Sequence, residues 1–231
     1  MHVVYGLVGL KTHSKVALVV RREDDGLQTY THIATGNYNP TTSRVYTDFG
    51  LLTNDSVIGD DASDVFDFLT GFSIQKEYSR LMVAPLNLRK RMMNLIKRET
   101  EHALAGRPAH IMAKINRLTD LPIIELLYEA SQAGVKIDLI VRGACMIRPG
   151  EPGLSDTIHV RSIVGPFLEH SRIFYFANGG DEELYIGSAD WMARNLDRRV
   201  EVVVPVVDPD VLDEVLPADD PGPAKARPND G

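Results

Sequence analysis

Two short segments of this chain carry a histidine, a serine and a cation in the same order. The first is His13-Ser14-Lys15 and the second is His170-Ser171-Arg172, and an apolar stretch typical of a β-strand directly follows each one. Imidazole acts as a nucleophile or base near neutral pH, and the nearby lysine or arginine supplies a fixed positive charge. This combination suits phosphoryl transfer, in which charge on the transferred oxygens must be balanced.

A glycine turn follows each apolar stretch, Thr35-Gly36-Asn37-Tyr38-Asn39 in one case and Gly187-Ser188-Ala189-Asp190 in the other. The repeat predicts two related halves that each contribute one histidine, and we expect the two histidines to face each other across one site. Because side chains alternate along a strand, we also expect His13 and Lys15 to share a face, with Ser14 pointing away.

Composition and charge narrow the functional class. The chain has 231 residues, 44% of them apolar and 25% charged, which is enough for one or two globular domains. Its net charge of −7 argues against bulk electrostatic binding of nucleic acid. Basic residues nevertheless concentrate between positions 80 and 120, and this local concentration fits an anionic ligand held at one site.

The single cysteine, Cys145, excludes an internal disulfide and a cluster of thiolate metal ligands. The sequence contains no signal-peptide pattern and no apolar run long enough to span a membrane, so we predict a cytoplasmic protein.

Hydrophobic periodicity predicts an α/β protein. The predicted strands cover about 2–8, 14–21, 27–34, 109–116, 135–141, 159–164 and 200–207. The predicted helices cover 61–72, 86–105 and 121–133. The strand, helix and strand between 109 and 141 indicate a parallel pair joined by a crossover helix.

Several blocks of the chain, in this order, resemble polyphosphate kinase of the phosphohistidine type. The blocks are Thr12-His13-Ser14-Lys15, 33–39, 44–48, 114–116, 139–143, 168–172, 187–192 and Arg199-Val200-Glu201-Val202. The resemblance covers about residues 2–216 and implies a phospholipase-D-like α/β fold of two related halves, each with a mixed sheet flanked by helices. It implies a partial first catalytic half over 1–80, which carries the phosphohistidine, and a second half over 81–216. The segment 217–231, rich in proline, glycine and charge, is predicted to be disordered.

The same resemblance implies roles for individual residues. His13 would be the nucleophile that ATP phosphorylates, and His170 a second catalytic residue that could protonate the leaving oxygen. The positions that match nucleotide contacts are Tyr46, Arg142, His170 and Arg199. The residues expected along the phosphate path are Lys15, Asn37, Lys114, Asn116 and Arg172.

The implied reaction is the reversible transfer of the terminal phosphate of ATP to inorganic polyphosphate. ATP or ADP and polyphosphate are therefore the expected partners, Mg²⁺ is expected to arrive with ATP, and no metal ligands are expected within the chain. Nucleic acid is not an expected partner. The sequence leaves the oligomeric state open, with a homo-oligomer among the alternatives.

Two other functions remain open from the sequence. Kinases of this type are about three times longer, so we expect this chain to be truncated at both ends, and a non-catalytic remnant that binds nucleotide or polyphosphate is one alternative. The other is a phospholipase-D-like phosphodiesterase, a class that uses His-x-Lys, four residues and then Asp in both halves. Here Val20 and Ala177 occupy the two aspartate positions and Arg172 replaces the second lysine.

Overall fold

The described part of the chain alternates strands with four α-helices. The computed structural model describes residues 3–24, 26–72, 77–208 and 210–211. Its strands are β1 (Lys11–Thr12), β2 (Val16–Glu23), β3 (Gly26–Ala34), β4 (Tyr46–Thr47), β5 (Gly50–Thr53), β6 (Met82–Ala84), β7 (His110–Ile115), β8 (Lys136–Val141), β9 (Ile158–Arg161), β10 (Leu168–Glu169), β11 (Ile173–Phe176), β12 (Glu183–Gly187) and β13 (Arg199–Val206). Its helices are α1 (Ser56–Thr70), α2 (Leu88–Leu104), α3 (Leu121–Gln132) and α4 (Ala193–Asp197).

A large mixed sheet forms the centre of the molecule, with the strand order β1-β13-β12-β11-β7-β8-β9 and β6 paired to β13. Strands β7, β8 and β9 are parallel, and α3 connects β7 to β8, as the sequence predicts. Asp120 caps α3 by accepting the backbone N–H of Ile123, and Gly134 follows the helix with a positive φ of 92°. The alternating apolar residues of β7 and β8 pack against α2 and α3 and form the larger core.

The first part of the chain covers the opposite face of this sheet. Strands β2, β3 and β5 form a small antiparallel sheet, and α1 packs against it. Ile33 and Ile58 from this layer join Leu184, Val202 and Val204 of the large sheet in a second core. The predicted fold class, α/β with a mixed sheet and flanking helices, is confirmed.

Two short strand pairs join the first part of the chain to the second. Strand β1 lies parallel to β13, with Lys11 opposite Arg199, and β4 lies parallel to β10, with Tyr46 opposite Leu168. His13 directly follows β1 and His170 directly follows β10. Both histidines therefore lie next to a strand pair that joins the two halves.

Two local predictions at the start of the chain are wrong. Residues 3–8 contain no strand, and only the two-residue β1 precedes His13. His13, Ser14 and Lys15 lie in the connection between β1 and β2, where the N–H groups of His13 and Ser14 both donate to the carbonyl of Val200 at 2.9 Å. The alternation argument for His13 and Lys15 therefore does not apply, because it needs regular strand geometry.

Other boundaries differ by a few residues. Helix α1 begins at Ser56, earlier than predicted, because the Asp55 side chain accepts the N–H of Ile58 and caps it. Strand β9 ends at Arg161, before the predicted end at 164. The predicted tail 217–231 lies outside the described residues. Within the part of the chain that the structure describes, no helix is long and apolar enough to cross a membrane.

Candidate active site

His13 is held by a fully buried carboxylate from the other half. Its Nδ1 lies 2.8 Å from Oε2 of Glu201, which is 0% exposed on β13. Ser188 donates its hydroxyl to the same oxygen at 2.5 Å, and Arg199 places a guanidinium nitrogen 3.7 Å from Oε1. An ionised carboxylate can only accept, so in the neutral form of the His13 ring Nδ1 donates and Nε2 carries the lone pair. Nε2 has no hydrogen-bond partner among the described residues.

His170 is held by a carboxylate from the first half. Its Nδ1 lies 2.8 Å from Oδ1 of Asp48, and Thr35 donates its hydroxyl to that oxygen at 2.7 Å. Burial by itself would raise the pKa of Asp48, but the hydrogen bonds from His170 and Thr35 hold that pKa below its usual range. Gly36 allows this approach, because a Cβ there would lie 2.1 Å from Asp48 Oδ2.

Each histidine therefore depends on the opposite half for its orientation. Glu201 of the second half fixes the first histidine, and Asp48 of the first half fixes the second. His13 has its carboxylate partner only when β1 is paired with β13, and His170 has its partner only when β4 is paired with β10. The site therefore forms at the interface between the two halves.

Lys15 is buried close enough to both histidine–carboxylate pairs to feel the charges of their carboxylates. It is 5% exposed, and its Nζ donates to the carbonyl of His13 at 2.5 Å. The charged groups that act on it are Glu201, Arg172, Asp48 and Arg199. Burial and the two arginines lower the pKa of Lys15 to about 8 against the opposing effect of the carboxylates. Since its neighbours include both carboxylates, the two histidines share one site.

Arg172 is buried behind His170. Its Nε and Nη2 donate to the carboxylate of Asp190, at 3.2 and 3.5 Å. Its Nη1 donates to the carbonyl of His170 at 2.8 Å and lies 3.1 Å from Nε2 of the ring. Asp190 also accepts the backbone N–H of Asn116 at 2.8 Å, and the Asn116 amide donates to the carbonyl of His170 at 3.3 Å. Arg172 and Asn116 thus hold the backbone of the second histidine in place through buried hydrogen bonds.

The remaining residues expected at the site lie at different depths. Tyr46 places its ring centroid 4.8 Å from that of His170. Lys114 forms an ion pair with Glu169 at 2.9 Å and a hydrogen bond with the hydroxyl of Ser171. Asn37 is exposed, and its side chain makes no hydrogen bond within the described ranges.

Arg142 follows β8 at the sheet edge where Asn116 follows β7, and Gly143 donates its N–H to the Asn116 carbonyl at 2.8 Å. The Arg142 side chain is half-buried and has no hydrogen bond or ion pair within the described part of the chain. Its guanidinium is therefore available to an anionic ligand.

The sequence analysis assigned no role to the residues that hold the two histidine rings, although each lies in a block that carries the family resemblance. These are Thr35, Asp48, Ser188, Asp190 and Glu201. One signal was present, because Glu201 interrupts the otherwise apolar stretch 200–204, and a carboxylate inside a buried strand needs a partner. No local pattern predicted that Asp48 would bind His170, which is 122 residues away in the chain.

Comparison with known proteins relates this site to an enzyme family. A family model described as polyphosphate kinase C-terminal domain 2 matches residues 81–218, and one described as polyphosphate kinase C-terminal domain 1 matches residues 1–77. The chain belongs to the polyphosphate kinase family. The resemblance stated from the motifs is thereby confirmed.

Individual members of the polyphosphate kinase family match over most of this chain. The polyphosphate kinase of Synechocystis sp. is 59% identical over 215 residues, which is 93% of this chain and 30% of that protein. The polyphosphate kinase of Pseudomonas aeruginosa is 55% identical over 88% of this chain and 30% of its own length. The crystal structure of polyphosphate kinase from Porphyromonas gingivalis superposes with a TM-score of 0.86 at 43% identity, covering 92% of this chain and 33% of that one. The chain thus spans about 30% of the length of the curated relatives it matches.

Proposed function

We propose that this chain carries the phosphohistidine step of a polyphosphate kinase, with His13 as the nucleophile. The proposed reaction is the reversible transfer of the terminal phosphate of ATP to inorganic polyphosphate. The observation that carries the proposal is the state of the His13 ring: Nδ1 is bound to a buried carboxylate, while Nε2 has no partner among the described residues. Family membership, shown by the sequence comparisons, supports the choice of substrates.

The first step follows from this geometry. The lone pair on Nε2 of His13 attacks the terminal phosphorus of ATP, a P–N bond forms, and the bond from that phosphorus to the ADP oxygen breaks. The ring becomes positively charged, and Glu201 stabilises this charge while keeping the proton on Nδ1. In the second step a terminal oxygen of polyphosphate attacks the same phosphorus. The P–N bond breaks, and the imidazole returns to its neutral form.

Cations around the transferred oxygens supply the electrostatic part of the catalysis. Lys15 and Arg199 both lie close to Glu201, beside the reacting ring. The Arg142 guanidinium has no hydrogen bond or ion pair with another described residue, and its planar fork suits two phosphate oxygens. Tyr46 and His170 complete the proposed nucleotide contacts.

Mg²⁺ would enter this scheme with the nucleotide. Among the described residues no group of three or more His, Cys, Asp or Glu side chains gathers as a set of metal ligands. The carboxylates of the site, Asp48 and Glu201, are each engaged by a histidine and a hydroxyl. The described residues therefore do not form a site that fits Mg²⁺. The proposed mechanism contains no step in which these residues act through the ion.

The test is labelling with ATP that carries a labelled terminal phosphate. We expect a phosphoprotein that is labile in acid and stable in base, present in the native chain and absent from His13→Ala. The matched control is His159→Ala, because His159 is an exposed histidine on β9, outside the site, and its removal should leave the label intact. Label that persists in His13→Ala, or no label in a folded native chain, would refute the proposal.

A further inference from the structure

A second group of charged side chains lies away from the active site, on strands β7, β8 and β9 of the large sheet. The carboxylate of Asp138 lies within 3.9 Å of four basic side chains, which are His110, Lys136, His159 and Arg161. We call the surface formed by these four side chains the basic face. One carboxylate balances one positive charge, and the side chains of Lys136, His159 and Arg161 are between 47% and 62% exposed. The basic face is therefore open to an anionic partner.

The basic face lies in line with the last described residues of the chain. Strand pairing places one residue from each of six strands in a row across the sheet, and directly paired residues share a face. The row is Val206, Leu184, Tyr175, Met112, Asp138 and His159. Val211 lines a small cavity together with Leu184 and Val206, at the first end of this row. After β13 the chain thus turns onto the face of the sheet that carries Asp138.

The residues that follow Val211 have the charge that suits the basic face. Residues 212–220, here called the acidic segment, lie outside the described residues, and their sequence contains Asp213, Glu214, Asp219 and Asp220 but no lysine or arginine. Leu184 of β12 and Asp138 of β8 are separated by three strand-to-strand steps, or about 14 Å. Because an extended chain covers about 3.3 Å per residue, the acidic segment can span this distance without full extension.

We infer that the acidic segment docks on the basic face, where its carboxylates pair with the exposed cations around Asp138. The first part of the chain covers the neighbouring part of the same sheet face, through contacts of Ile33 and Ile58 with Leu184. The docked segment completes this cover over β7, β8 and β9. This interaction is separate from the proposed phosphoryl transfer and requires none of its steps.

The experiment is carbodiimide crosslinking of the native full chain, which joins a carboxylate to an amine that contacts it, followed by mass spectrometry. We expect Lys136 to be linked to the acidic segment. The control amine is Lys97, an exposed lysine on α2, because α2 packs against the opposite face of the sheet. A mixture of isotopically light and heavy chains separates links within one chain from links between two copies. No link at Lys136, equal links at Lys97, or links only between copies would each overturn the inference.

A charge variant provides a second measurement in the full chain. Asp213→Asn/Glu214→Gln/Asp219→Asn/Asp220→Asn removes the charge of the acidic segment and leaves every residue of the described cores unchanged. We expect acetylation of Lys136 to become several-fold faster in this variant, and likewise in the native chain at about 1 M salt, while acetylation of Lys97 is unchanged. Equal acetylation of Lys136 in the native chain and the variant would contradict the docking. Neither measurement uses ATP, so their failure is distinguishable from failure of the phosphohistidine labelling.

Discussion

The two histidine environments start from nearly the same three residues and end with opposite properties. Around His13 the carboxylate is completely buried, the ring is 20% exposed, and the second ring nitrogen is free within the described structure. Around His170 the carboxylate is 20% exposed, the ring is buried, and an arginine lies against both of its nitrogens. A repeated motif thus lies in two different environments: the second nitrogen of His13 has no partner among the described residues, while an arginine lies against the ring of His170.

The carboxylates offer the strongest test of this difference. We expect Glu201→Gln to slow phosphohistidine formation by about 10³-fold, since the fixed tautomer of the proposed nucleophile is lost. Asp48→Asn should slow it by only about tenfold, because this carboxylate orients His170 and not the proposed nucleophile. Single-turnover labelling with ATP measures both rates.

Glu183→Gln serves as the control for these amide substitutions, because Glu183 is a partly exposed carboxylate paired with Arg98 outside the site. Its labelling rate should match that of the native chain. Equal losses in the Glu201 and Asp48 variants would mean that the two environments are functionally equivalent, contrary to the comparison.

Replacement of His170 should have a smaller effect than replacement of His13. We expect His170→Gln to lower the labelling rate by about 10–100-fold while the label remains on His13, since the proposed nucleotide contact is weakened and the proposed nucleophile is kept. Mass spectrometry of the labelled peptides locates the phosphate. A complete loss of label in a folded His170→Gln chain would show that this ring takes part directly in the chemistry.

The charge of Lys15 should make the phosphorylation rate depend on pH. Its pKa of about 8 means that the lysine loses its charge as the pH rises through that value, so the phosphorylation rate should fall several-fold on the alkaline side. Lys15→Arg keeps the charge and should remove this alkaline decline. A pH–rate profile of label formation measures the effect. An identical decline in the arginine variant would show that the charge of Lys15 is not its cause.

The same pKa shift predicts the pH dependence of stability. The folded-state pKa of Lys15 lies below its ordinary value of 10.5, so between about pH 8 and 10.5 the unfolded chain binds the proton that the folded chain has released. The contribution of Lys15 to the free energy of unfolding should therefore rise with pH across this window. Urea unfolding of the native chain and of Lys15→Met at several pH values would reveal it, and a difference between them that does not change with pH would contradict it.

The two glycine turns differ in how strictly they need glycine. A Cβ at Gly187 would lie 2.5 Å from the backbone oxygen of Val202, while the three atoms nearest to one at Gly36 all belong to the Asp48 side chain. We expect Gly187→Ala to lower the free energy of unfolding by about 2–3 kcal/mol and Gly36→Ala by about 1–2 kcal/mol. Gly165→Ala, which meets nothing within 4 Å, is the control. Denaturant titration measures all three, and a larger loss at Gly36 would reverse the expected order.

Strong periodic patterns made much of the fold predictable. The strand, helix and strand over β7, α3 and β8 were predicted within about one residue at each boundary, because alternating apolar residues, a capping aspartate and a following glycine all agree locally. The start of the chain was predicted wrongly, since residues 3–8 have the apolar composition of a strand but form none in the described structure. Composition without a pairing partner is a weak predictor of strands.

The sequence by itself determined the family, the layered α/β class and the two histidine triplets, because these depend on residue types and spacing along the chain. Only the tertiary structure decided which carboxylate holds which ring and which cations lie beside each ring. Glu201 and Asp48 reach their histidines across 188 and 122 residues, through strand pairs that join the two halves. Partners this far apart in sequence leave no periodic signal, since their proximity arises from packing of the halves rather than from local backbone geometry.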